Sequence, residues 1–157
     1  MKEVRKILVG LDLGPKGAQL TPGSRRAAET ALWLAKSIGA RVELFHSSAR
    51  DEYYDPVEGN FVIVHDGLSS DGAASLEAVL AEFRQEGLRC ELIIVDDRPG
   101  DAIIQRVEAE SIQLVIVGKR TEADTDNRRM GSLSRRLLTE CPSAAVWVVK
   151  PDETPQP

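Results

Sequence analysis

Five short aliphatic runs, separated by stretches of helical periodicity, constrain this chain more than any other feature. The runs are Ile7-Leu8-Val9-Gly10-Leu11, Arg41 to His46, Cys90 to Val95, Leu114-Val115-Ile116-Val117 and Ala144 to Val149. The strands are nearly all apolar, and Ile7 to Leu11 reads as one buried on both faces. Between the first two, Ala27, Ala28, Ala31, Leu32, Ala35 and Ile38 recur at helical spacing, with Ser24 as the expected N-cap and Gly39 as the stop. Leu76, Val79, Leu80 and Phe83 mark a second helix, Gly100 to Ser111 a third, and Leu133, Leu137 and Leu138 a fourth. Strands joined through helices imply crossover connections, hence a parallel sheet covered by helices on both faces. With aromatics at 4%, the core is expected to be aliphatic. Ser47 to Gly72 is the least regular stretch; its apolar run Phe61-Val62-Ile63-Val64 reads as an extra edge strand, a lid or a partner surface.

Length and charge exclude several functions. At 157 residues the chain fits one domain, expected over 1–151 with a disordered tail at 152–157. The longest apolar run has six residues, against about twenty for a membrane-spanning helix. The opening Met-Lys-Glu-Val-Arg-Lys contains no apolar signal region, so a cytoplasmic location is expected, with no membrane partner. Net charge −5 argues against nucleic acid as a partner. Cys90 and Cys141, 51 positions apart, show no metal-ligand spacing and read as buried thiols.

Ligands in such a sheet sit beyond the carboxyl ends of the strands, where strand order reverses. That rule selects Asp12, Ser47, Asp96, Asp97, the loop Gly118 to Gly131 and Lys150. The loop is the most informative. Residues 118 to 136 hold six Lys/Arg and three Asp/Glu, a net of +3 in a chain that carries −8 elsewhere. Gly131-Ser132 opens a helix, whose first amides suit an anion. The alternative is a solvated loop with a capped helix. Asp12 suits a ribose hydroxyl or a base amine, or else an Asx-turn. His46 reads as a satisfied histidine at a strand end rather than a catalytic base, since no Gly-x-Ser-x-Gly elbow is present. Asp124-Thr125-Asp126 fails as a calcium loop, with Arg129 and Arg135 where Gly and Glu are required. Asp96-Asp97 and Lys150 also suggest a phospho-acceptor receiver domain, but only one carboxylate, Asp12, follows the first strand.

From Lys6 to Pro151 the pattern resembles the universal stress protein family. The resemblance is carried by Ile7 to Asp12, Ala27 to Ala35, Val42 to His46, Pro99-Gly100-Asp101-Ala102-Ile103, Leu114 to Gly118, Met130-Gly131-Ser132-Leu133-Ser134 and the last strand with Lys150-Pro151. It implies a Rossmann-like, adenine nucleotide alpha hydrolase-like α/β domain, a five-stranded parallel sheet of order 3-2-1-4-5, and a homodimer paired through Ala144 to Val149. Some members bind ATP through Gly-x2-Gly-x9-Gly-(Ser/Thr); here the frame reads Gly118-x2-Thr121-x9-Gly131-Ser132, with Thr121 in place of the second glycine. The resemblance thus implies a non-catalytic module binding ATP or AMP, with magnesium held through the phosphates. Asp12 would contact ribose or base, and Ser47 would face adenine. Gly118, Gly131, Ser132, Leu133 and Ser134 would hold phosphates, with Thr121, Arg128 and Arg129 nearby. The turn-rich insertion Gly14 to Gly23 would partly cover the cleft. The alternative within the family is a module that binds no nucleotide and acts through dimerisation and a regulatory protein partner.

Overall fold

The five aliphatic runs form one parallel sheet. In the structure, a computed structural model that describes residues 3–119 and 132–151, the elements run β1 (Lys6–Gly10), α1 (Pro22–Ile38), β2 (Arg41–Ser47), β3 (Ala49–Asp55), β4 (Asn60–His65), α2 (Ser70–Gln85), β5 (Cys90–Val95), α3 (Pro99–Glu110), β6 (Leu114–Gly118), α4 (Ser132–Glu140) and β7 (Ala145–Val149). The main sheet has the order β5-β2-β1-β6-β7, and each pairing is parallel. Counted over the five expected strands, that is 3-2-1-4-5.

Alternation along each strand divides the core in two. Ile7, Val9, Val42, Leu44 and Ile116 face the alanine stripe of α1 and Leu76, Val79 and Phe83 of α2. Leu8, Phe45, Val115 and Val117 face Ala102, Ile103 and Val107 of α3 and Leu137 of α4. The small side chains of α1 let that helix lie close to the sheet, and Ala27, Ala31 and Ala35 are fully buried. On the other face Glu43 of β2 accepts two hydrogen bonds from Arg106 of α3, one of 3.1 Å at Nε. Among the described residues, no helix is long and apolar enough to cross a membrane.

One expectation needs correction. Ser24 is not the cap of α1. Thr21 is, its hydroxyl accepting from the Ser24 N–H at 3.2 Å, with Pro22 at the first helical position. Ser24 turns its own hydroxyl back to the end of β1. Of the readings left open for the stretch after Ser47, a strand is the one that forms, in a sheet of its own rather than as an edge of the main one. Phe61 to Val64 lies in β4, which pairs antiparallel with β3 as a separate two-stranded sheet with a bulge between Asp51 and Tyr53. Gly39 does end α1, in the left-handed conformation, with its N–H donating to Ala35 O at 2.8 Å.

Candidate functional site

Strand order reverses between β1 and β6, and next to that point a polar cleft of about 600 Å³ opens over the carboxyl ends of β1 and β2; no described residue at the end of β6 lines it. Asp12 borders it just beyond β1, and its backbone is fixed from both sides. The Asp12 N–H donates to Ser24 Oγ at 2.8 Å, and the Asp12 carbonyl accepts from the Thr21 N–H at 3.0 Å. The sequence of α1's first turn thereby sets where the carboxylate stands. His46 and Ser47, at the end of β2, form the next part of the lining. His46 is buried and donates from Nδ1 to the Leu11 carbonyl at 2.8 Å, the satisfied histidine expected from the sequence. Ser47 donates to the Asp97 carbonyl and accepts from the Ala49 N–H at 3.1 Å, so its hydroxyl ties β2 to the loop after β5.

The two walls of the cleft belong to opposite faces of the sheet. One comprises Leu13 to Gly17 and Asp66 to Ser69, beside α2; the other comprises Arg98 to Gly100 of α3's start with Leu133 and Arg136 of α4. Arg136 holds the second wall together. It pairs with Asp101 of α3 and, at 2.8 Å, with Glu140 of its own helix, and its Nη1 is buried without a hydrogen-bond partner among the described residues. Gly100 lets it lie there, since a Cβ would stand 3.0 Å from Arg136 Cδ.

Beside the cleft, Asp96 accepts from Ser48 Oγ at 2.7 Å and pairs with His65 Nδ1 at 3.1 Å, joining the β3–β4 ribbon to the end of β5. The Ser48 hydrogen bond, then that of His65, hold the Asp96 carboxyl below its ordinary pKa. Asp96 is therefore a structural bridge. Among the described residues no group of three His, Cys, Asp or Glu side chains is placed to hold a metal.

The structure brings together Asp12, Ser47 and Leu133 of the residues singled out from the sequence. Ser132 opens α4, so the first amides of that helix, including those of Leu133 and Ser134, have no carbonyl four residues back within it. The Ser134 side chain is buried and does not line the cleft; the expectation for this residue concerns its amide. Gly118 likewise does not line it; the reason for glycine there is contact with α1, where a Cβ would come within 2.1 Å of the Gly23 backbone carbon. Thr121, Arg128, Arg129 and Gly131 lie outside the described residues. Sequence reading missed Arg98, Gly100 and Arg136 as lining. The Pro99-Gly100 pair at a strand-to-helix junction was the available signal.

An open parallel sheet with helices on both faces and a polar cleft over its carboxyl ends defines a doubly wound α/β protein. The chain belongs to the universal stress protein family, whose model matches residues 3–150. No curated relative matches the sequence. Similar solved structures include a universal stress protein family protein from Arabidopsis thaliana with AMP bound (TM-score 0.65, 18% identity, 94% of this chain and 92% of that one). Others are the universal stress protein from Archaeoglobus fulgidus in complex with dAMP (TM-score 0.60, 18%, 93% and 98%) and a universal stress protein in complex with cAMP (TM-score 0.65, 18%, 96% and 100%). The family sets the receiver-domain alternative aside.

Proposed function

We propose that the cleft binds an adenine nucleotide, ATP or AMP, and that the protein works as a dimeric binding module without catalysis. The observation that carries this is the cleft itself. Its bordering groups match the parts of a nucleoside phosphate, with Asp12 an acceptor for ribose or a base amine and the start of α4 an anion site. Arg98 and Arg136 stand on the same wall as α4. The donor set therefore fits a nucleotide, and magnesium would be held through its phosphates. Family members of known structure with AMP, dAMP and cAMP support the reading. His46 is the one imidazole bordering the cleft, and its Nδ1 is committed to Leu11. The dimer would form through β7, the outer strand beyond β6.

Calorimetry with ATP and AMP tests this. Wild type is expected to bind, and Gly131→Val to lose most of the affinity by blocking close approach of the loop to phosphate. No heat at millimolar nucleotide ends the reading. It would instead favour the second one, a module that acts through protein contacts alone, to which Thr121 at the motif's glycine position points.

A further inference from the structure

The insertion after β1 gives the cleft a wall of its own. Leu13 bridges to Leu20, the Gly14 N–H donates to the Gln19 carbonyl at 2.7 Å, and the Gly17 N–H donates to the Gly14 carbonyl at 2.8 Å. The closed segment rests on the first turns of α2. Ser69 Oγ donates to the Gly17 carbonyl at 3.1 Å, and Ser75 Oγ donates to the Ala18 carbonyl. Gly72 makes this seat possible, because a Cβ there would stand 2.5 Å from the Gly17 oxygen. Gly17 itself has φ +68°, where glycine is favoured. Lys16, beside these anchors, is exposed and borders the cleft. It pairs with no carboxylate among the described residues.

The opposite wall carries Arg98, Arg136 and the start of α4. Because α2 packs in one core layer and α3 and α4 in the other, Lys16 stands across the sheet edge from those cations. Arg136 is already paired with Asp101 and Glu140, so on the α2 side Lys16 brings an ammonium to the cleft that no described carboxylate holds. The segment that carries Lys16 is already ordered, so its ammonium can engage a ligand at little backbone entropy cost.

We propose that Lys16 is a ligand-binding residue that contacts the phosphate of the bound ligand from the α2 side. The adenine part of that ligand rests on the nucleotide reading above; the phosphate contact does not. The test measures affinities of wild type, Lys16→Ala and Lys16→Arg for AMP, adenosine and inorganic pyrophosphate at low salt. Lys16→Ala is expected to weaken AMP and pyrophosphate by about fivefold, as for an exposed ion pair. Adenosine should be unaffected, Lys16→Arg should restore binding, and the loss should shrink as salt screens the pair. Unchanged AMP and pyrophosphate affinity in Lys16→Ala, or an equal loss for adenosine, overturns the proposal. If wild type binds pyrophosphate but neither AMP nor adenosine, and Lys16→Ala weakens it, the nucleotide reading fails while Lys16 stands. If wild type binds none of the three, both fail.

Discussion

At Gly118 and Gly23 two backbones meet with no room for a side chain. A Cβ on Gly118 would come within 2.1 Å of the Gly23 carbon, and one on Gly23 within 2.5 Å of the Lys119 carbonyl oxygen. Both atoms belong to main chain, which cannot swing aside as a side chain would. Gly23→Ala should therefore cost about 1–3 kcal/mol in denaturant unfolding and displace the start of the loop after β6. Nucleotide affinity should fall with it. A variant of wild-type stability would show that the contact can relax. Burial pushes Cys90 up to about 12, so it should resist thiol reagents at pH 8 in the folded protein and react once unfolded. Asp96 gives an acid-side prediction. Its folded pKa is depressed by Ser48 and His65, so its contribution is present above the ordinary carboxylate pKa and is lost as pH falls through the folded value, below about pH 4. Amide exchange in β3 and β4 should accelerate over that window in wild type. In Asp96→Asn, exchange there should already be faster at neutral pH and should lack this acid-linked step.

Elements differ in how plainly the sequence shows them. The five sheet strands and four helices are legible because their apolar residues form runs or 3.6-periodic faces; β6, with Leu114 to Val117 all buried, is the clearest case, while the outer strands β5 and β7 are buried only in part. The hairpin is not. β3 reads Ala-Arg-Asp-Glu-Tyr-Tyr-Asp, with no alternation to announce a strand, and a bulge shifts its register at Asp51/Tyr53. The cap of α1 is misplaced by three residues because Thr21 and Ser24 are both capping types, while Pro22-Gly23 resembles a turn. Asp12 and Ser47 of the cleft are legible from the rule about strand ends. Arg98, Gly100 and Arg136 are not, since only packing of α4 on α3 brings Arg136 there. At this scale the seat of the insertion is testable. Gly72→Val would drive a branched side chain into the Gly17 carbonyl, and should loosen the Leu13 to Leu20 segment in amide exchange while the main sheet keeps its protection.

For the whole molecule, the two ends of the sheet are unequal. β7 is an edge strand with Trp147 41% exposed, and Leu138 of α4 is 51% exposed. An apolar edge of this kind calls for cover. If it pairs with a second copy, Trp147→Asp should shift sedimentation from dimer to monomer, because a carboxylate would enter an apolar seam, whereas Val146→Asp would also place charge against this chain's own core. An unchanged mass would remove this strand from the interface. The cleft lies over the strand ends at β1 and β2, so its chemistry and the proposed assembly occupy different parts of one sheet.

The stems of the Leu13 to Leu20 segment are one hydrogen bond apart, from the Thr21 N–H to the Asp12 carbonyl. With its base closed there and Leu20 held in the core, the segment presents Lys16 to the cleft on a fixed frame, so a change of side chain at that position alters the charge over the strand ends while every pairing of the sheet stays as it is.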